Sequence, residues 1–283
     1  MTTTGAQDLA RLRAEIVNAR DVPTIPVLLL RILRMVDGER TSAKDLIDLM
    51  QRDQALAGRV LRLANSGFFA CSREVATLSR AVMLLGFSTV KNLALGIKIM
   101  ETLMGRGGPS MAALWEHSAL VGAAARLIAQ RTRAADPEEV FTAGLLHDIG
   151  KVILRIRFDA VYDRITSVGG ETPIVVRERD AFGVDHARAG SWLGESWSLP
   201  PSIVEAAAAH HDEIPSGASL TAPLIVNLAN RLVHWTDVDQ GVLAPEAEAV
   251  LSGAAGLSFG ACVEIAAQLQ GQKDDLRVFY GTD

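Results

Sequence analysis

The stretch from Phe141 to Lys151, FTAGLLHDIGK, sets His147 and Asp148 side by side directly after an almost wholly apolar run. A polar pair in such a setting needs partners, because burying an imidazole or a carboxylate without them is costly. Four more histidines stand at useful places: His117 on a preceding helical segment, His186 in VDHARAG, and the adjacent His210 and His211 in AAAAHHDE, with only His234 apart from the group. Imidazole nitrogen and carboxylate oxygen are the usual ligands of zinc, manganese and iron. Four separate helices can bring His117, His147, Asp148, His186, His210 and His211 to one pocket. The chemistry to expect there is one or two divalent metal ions inside a helical bundle, iron or manganese first and zinc as the alternative. Without an ion, several imidazoles would compete for few acceptors, at about 1–3 kcal/mol for each unsatisfied group. Asp148, next to His147, is placed to bridge two ions. Any one of these histidines taken alone reads as a hydrogen-bonded core residue. The set, with two adjacent and one followed by Asp, favours the metal.

The elements that must position these side chains are helices. No window shows sustained two-residue alternation in a β-branched run, aromatic content is only 5%, and Ala and Leu dominate, so the fold class is all-α. Met111 to Arg131 makes a long helix with His117 near its start. Asp136-Pro-Glu-Glu139 is a well-formed helix start, and the helix it begins runs into His147. Lys151 follows Asp148 by three residues, so a helix continuing through Gly150 brings its ammonium to the same side; a surface lysine fits equally. Glu178 and Asp180 read as solvated. Asp185 caps a helix beginning at His186, Pro200-Pro201 starts the helix carrying Glu205 to His211, and Leu220 to Trp235 supplies the last core helix.

The N-terminal half reads as a run of shorter helices: Gln7 to Arg20, Leu28 to Val36, one opened by Ser42 with Asp45 three residues on, DQALAGRVLRLAN after a short turn, one from Leu78 to Gly86, and Val90 to Met104. Arg52, Arg59 and Arg62 share a face, either a helix-turn-helix surface or a solvated basic rim. The Gly-rich GRGGPS at 105–110 is the best boundary, dividing residues 1–108, 109–236 and 237–283 into an N-terminal helical lobe, a metal-binding helical lobe and a C-terminal extension with one short helix, Ala261 to Leu269, before a polar tail. With 283 residues there is ample core. Cys71 and Cys262, far apart and without metal-ligand spacing, read as reduced thiols. The net charge of −5 argues against a nucleic-acid surface. No apolar run reaches the ~18 residues of a membrane span and no signal peptide opens the chain, which points to the cytoplasm.

The His-Asp pair followed by Gly150 and Lys151, with WEHS (Trp115 to Ser118) upstream and DHARAG and SWSLPPSIVEAAAAHHD downstream, resembles the HD superfamily of metal-dependent phosphohydrolases. Leu46 to Phe69 and Leu78 to Leu95 narrow the likeness to the HDOD domain, a bacterial signalling module related to the HD-GYP phosphodiesterases. The resemblance covers about residues 20 to 235. It implies an HD-type helical core in the C-terminal half of a two-lobed bundle, and it sets Lys151 near a phosphate. Catalytic members of the superfamily carry a carboxylate on the last core helix, where NLANRLVH offers Asn230. The related cyclic-dinucleotide phosphodiesterases follow their paired histidines with a Gly-Tyr-Pro loop, where this chain continues HHDEIPSGAS, so cyclic-dinucleotide hydrolysis is not expected. The first functional reading is a regulatory module that scaffolds a signalling protein or a small nucleotide ligand, with a homodimer compatible. The second is a phosphohydrolase or phosphodiesterase acting on a nucleotide, in which metal-activated water attacks phosphorus with Asp148 and Lys151 as catalytic residues. A DNA-binding regulator using residues 42–65 is the third.

Overall fold

The computed structural model describes residues 3–18, 21–37, 42–69, 74–104, 111–167, 172–215, 218–247 and 257–280. The proposed boundary at 105–110 and Cys71 lie outside them. The described chain is all-α, as the periodicity predicts: α1 Thr3–Val17, α2 Val27–Asp37, α3 Ala43–Met50, α4 Gln54–Ala64, α5 Leu78–Leu85, α6 Phe87–Met104, α7 Met111–Thr132, α8 Pro137–Leu146, α9 Ile149–Ser167, α10 Ile174–Phe182, α11 His186–Ser196, α12 Pro201–Ala209, α13 Ala222–His234 and α14 Phe259–Tyr280. Among the described residues the only sheet is an antiparallel pair of two-residue strands, β1 Thr236–Asp237 and β2 Val242–Leu243. No single helix among them is long and apolar enough to cross a membrane.

Helix starts follow the capping chemistry written in the sequence. Ser42 and Asp45 form a full capping box on α3, and Thr77 accepts from the Arg80 amide at the start of α5. Asp136 accepts from the amides of Glu138 and Glu139 with Pro137 at the first position of α8. Asp185 accepts from the Arg188 amide, which fixes the start of α11 one residue later, at His186.

The centre of the fold is α7, buried along most of its length by small and apolar residues from Ala119 to Ala129. A helix apolar all round must be surrounded, and α8, α13 and α14 surround it. The approach of α8 is close because both crossing positions are glycine: a Cβ on Gly122 would stand 2.8 Å from the Phe141 carbonyl oxygen, and one on Gly144 only 2.9 Å from the Gly122 Cα. From the N-terminal half, α6 also packs on α8, and one continuous apolar cluster joins both halves. Arg59, on the basic face of α4, pairs with Glu101 of α6 at 3.7 Å, beside a Lys98–Asp53 pair of 2.5 Å.

The C-terminal helix departs from expectation. In place of a short helix and polar tail, α14 runs from Phe259 to Tyr280. Its polar run QGQKDD is followed by Leu276 and Phe279, both fully buried, so one face of a polar-looking stretch is core. The Phe279 ring lies 5.3 Å from that of Phe141, which in turn lies 5.2 Å from that of Phe68. Three distant parts of the chain thus meet in one aromatic row. Removing a buried phenylalanine costs about 3–5 kcal/mol. Phe279→Ala should lower unfolding stability by that amount in urea titrations, whereas a dispensable tail would leave the midpoint unchanged.

Candidate metal centre

The six candidate side chains come from four places: His117 from the second turn of α7, His147 and Asp148 from the junction of α8 and α9, His186 from the first residue of α11, and His210 and His211 from just beyond the last turn of α12. The sequence reads as a helix that runs into His147 and, if continued through Gly150, sets Lys151 on the side of Asp148. The structure instead ends α8 at Leu146, with His147 as its C-cap, and starts α9 at Ile149. Lys151 still reaches the site and donates to Asp148 Oδ2 at 2.6 Å. Similarly, α12 stops at Ala209, leaving the His pair on the turn that follows.

Hydrogen bonds on the outer ring nitrogens orient three imidazoles. His147 Nδ1 lies 2.7 Å from the Gly144 carbonyl oxygen and His210 Nδ1 lies 2.8 Å from that of Ala207. A carbonyl only accepts, so in both rings Nδ1 carries the proton and Nε2 presents its lone pair. His186 Nδ1 donates to Glu178 Oε2 at 2.6 Å, and its backbone N–H donates to the same oxygen at 2.8 Å. Glu178 is completed by the Tyr162 hydroxyl at 3.0 Å.

The inward Nε2 atoms converge on one carboxylate. Asp148 Oδ1 stands 3.3 Å from Nε2 of both His186 and His210, and Oδ2 stands 3.3 Å from that of His147 and 4.0 Å from that of His117. His186 Nε2 is 3.1 Å from His210 Nε2 and 2.9 Å from His211 Nε2. Two donor sets sharing Asp148 result, one of Asp148, His186, His210 and His211 and one of His117, His147 and Asp148; within each, the ligand atoms lie within 4.8 Å of one another. The donors suit a divalent ion. Ligands about 2.1 Å from one tetrahedral ion stand roughly 3.4 Å apart, close to the separations in the first set. Lone pairs facing at such distances repel without a cation between them, and His147 Nε2 and Asp148 Oδ1 are buried with no hydrogen-bond partner. The two sets are not equivalent. His117 Nε2 lies 3.0 Å from Asn230 Oδ1, so an amide oxygen stands next to the second set.

Electrostatics prepare the imidazoles as ligands, which must be neutral to bind metal. Burial pushes the His117 ring down to about 4 and the His211 ring to about 3. It also lowers His210, and holds His186 well below the usual imidazole range. Burial raises the Asp148 carboxyl, but positive charge on His147 when that ring is protonated, together with the Lys151 ammonium, more than reverses this and keeps it ionised.

Glu178 is the residue that sequence reasoning missed. Expected in solvent, it is fully buried, while Asp180 is exposed as expected. The reason is the corner between α10 and α11, where Gly183 takes a left-handed φ of 74° as the C-cap. That corner folds the last turns of α10 back onto His186. Burial pushes the Glu178 carboxyl up to about 7. A helix–Gly–helix spacing of eight residues ahead of His186 is the only signal the sequence held for it. Gly150 is equally decisive: a Cβ there would overlap the His186 carbonyl oxygen and stand 2.6 Å from the Gly190 amide nitrogen. Only glycine lets α9 lie directly on the first turn of α11 and bring His186 to Asp148.

Comparison with known proteins places this geometry. The sequence matches the HDOD domain over residues 22–213. It is 27% identical over 222 residues to an uncharacterized protein of Treponema pallidum (strain Nichols), covering 77% of this chain and 43% of the relative, so the chain spans less than half the length of that curated relative. Among solved structures, a protein of Shewanella amazonensis SB2B provisionally described as a phosphohydrolase superposes with a TM-score of 0.77 at 24% identity, over 94% of this chain and 97% of its own. One of Marinobacter aquaeolei VT8, provisionally described as a signal transduction protein, superposes with a TM-score of 0.74 at 21% identity, over 98% and 65%. At these identities the likeness establishes a shared fold.

Two outcomes follow from the site. Gly150→Ala should separate α9 from α11, lower the melting temperature and reduce bound metal in elemental analysis; an alanine variant with wild-type metal content would contradict the close-approach account. In chelator-treated protein, stability should fall as pH drops from about 6.5 towards 4, because the unfolded chain takes up protons at His117 and His211 that the folded state refuses. Glu178 acts with opposite sign: its raised folded value adds stability at low pH that is lost as pH rises through 7. Glu178→Gln should therefore steepen the pH dependence between about 4.5 and 6.5, measurable by thermal melts across that range.

Proposed function

This chain belongs to the HDOD domain family, and from that premise we propose that it is a signalling module whose C-terminal half is braced by one firmly held divalent ion and serves as a scaffold for a signalling protein or a small nucleotide. The observation that carries this reading is the inequality of the two donor sets. Asp148, His186, His210 and His211 offer three imidazoles and a carboxylate to one ion. Among the described residues, the set of His117, His147 and Asp148 gains no further His, Cys, Asp or Glu donor and has the Asn230 amide beside His117 instead, a much weaker ligand than a carboxylate, so a second ion is held loosely. The donor chemistry suits iron or manganese, with zinc possible. A single ion that ties α9, α11 and α12 together stabilises the fold, by about 2.7 kcal/mol when the free ion exceeds its Kd a hundredfold. The signal-transduction description of the Marinobacter neighbour is in keeping with this role.

A metal-dependent phosphohydrolase is the second reading, favoured by Lys151. When bound, the ion would supply Lewis acidity and lower the pKa of coordinated water. Lys151 holds its positive charge 2.6 Å from Asp148 Oδ2, at the edge of the donor sets where a phosphate oxygen would need it. The phosphohydrolase description of the Shewanella neighbour points the same way.

Elemental analysis of protein purified without chelator should find about one ion per chain. Asp148→Ala and His210→Ala should release it and lower the melting temperature, and Asn230→Asp should raise the content towards two. Metal content indifferent to both alanine variants would refute the site. Wild-type turnover of cyclic di-GMP or bis-p-nitrophenyl phosphate that Asp148→Ala abolishes would replace the scaffold reading with the hydrolase.

A further inference from the structure

Next to the metal centre, α7, α9 and α10 line an open cavity of about 300 Å³. Three cationic side chains line it, Lys151 and Arg155 from α9 and Arg177 from α10, together with three apolar ones, Met111 and Leu114 from α7 and Ile174 from α10. Among the described residues, no carboxylate lines it. The cations are held from behind: Arg155 pairs with Asp163 at 2.9 and 3.1 Å, and Arg177 donates to the Ile165 carbonyl oxygen at 2.5 Å. The pair with Asp163 engages two of the five N–H donors of the Arg155 guanidinium. Fixed in place, these groups would lose little freedom on meeting an anion.

Resting on the metal reading above, we propose that this cavity binds a small phosphomonoester with an apolar or aromatic body, of the size of a nucleoside monophosphate, and that metal occupancy sets its affinity. Charge selects the phosphate, since guanidinium forks match a phosphate dianion in both geometry and sign. The Met111, Leu114 and Ile174 surface selects the apolar body over inorganic phosphate. Volume sets the limit: at the lower bound of ligand pockets, ~300 Å³, there is room for one nucleotide and not for two. The coupling arises at Lys151. In the metal-free protein its ammonium is spent on Asp148; a divalent ion on that carboxylate neutralises it and leaves the lysine to the ligand. Such coupling is reciprocal, so the ligand tightens metal binding by the same factor.

Calorimetric titration tests this with AMP, adenosine, inorganic phosphate and cyclic di-GMP, on metal-loaded and chelator-treated protein. AMP should bind the loaded protein at least tenfold more tightly than the other three probes, and at least tenfold more tightly than it binds the stripped protein. Arg155→Met and, from the α7 side, Leu114→Trp filling the cavity should each weaken AMP at least tenfold, with thermal melts checking the fold of each variant. Loaded protein that does not distinguish AMP from adenosine or phosphate, or AMP binding untouched by both variants, would overturn the assignment. Metal content measured on the same samples separates the two ideas: a wild-type protein without metal overturns the preceding proposal, and a loaded one indifferent to AMP overturns only this one.

Discussion

A carboxylate with 1% of its side chain exposed, surrounded by imidazole lone pairs, is the constraint on which the rest of this structure depends. Asp148 has one side-chain cation in hydrogen-bond contact, Lys151, and an isolated buried charge is among the most costly groups a protein can hold. The fold answers by bringing four segments of helix end to the same point. Helix ends suit this purpose because their free carbonyls take the outer imidazole protons, as Gly144 and Ala207 do for His147 and His210. The inner nitrogens are left as acceptors around an acceptor, an arrangement that gains stability from a cation at its centre.

Backbone contact between helices makes that convergence geometrically available. Gly122 and Gly144 let α8 lie on α7, and Gly150 and Gly190 let α9 lie on α11. A Cβ at Gly122, Gly144 or Gly150 would meet backbone atoms of the facing helix at less than 3 Å and force the helices apart. The carbonyl and amide ends that hold His147 and His186 would move with them. The aromatic row of Phe68, Phe141 and Phe279 performs the same service, tying the N-terminal half and α14 to the helix that leads into the site.

Glu178 shows how the surroundings of a ligand share its work. It accepts from the His186 ring, the His186 amide and Tyr162, and in doing so fixes which nitrogen of His186 faces Asp148. Its own protonation opposes that of the histidines, so the metal-free centre contains groups that titrate with opposite consequences for stability. Family and fold carry no such information, since one architecture hosts many chemistries. The inequality of the two donor sets rests on a single amide, Asn230.

The sequence by itself determined the all-α class, the starts of α3, α8 and α11, and the five histidines that gather around Asp148. These were legible because they are local: capping chemistry acts within four residues, and an imidazole beside a carboxylate in an apolar run announces a need for partners wherever the chain goes. Tertiary structure alone decided what depends on the angle between helices. It broke the helix at His147 and Asp148, buried Glu178 by folding α10 back over the Gly183 corner, and turned the polar-looking end of α14 into core through Leu276 and Phe279. It also assembled the open cationic cavity between α7, α9 and α10. No local pattern distinguishes a glutamate that faces water from one that faces a histidine eight residues on, because the difference lies in where a neighbouring helix is packed and how closely its glycines let it approach.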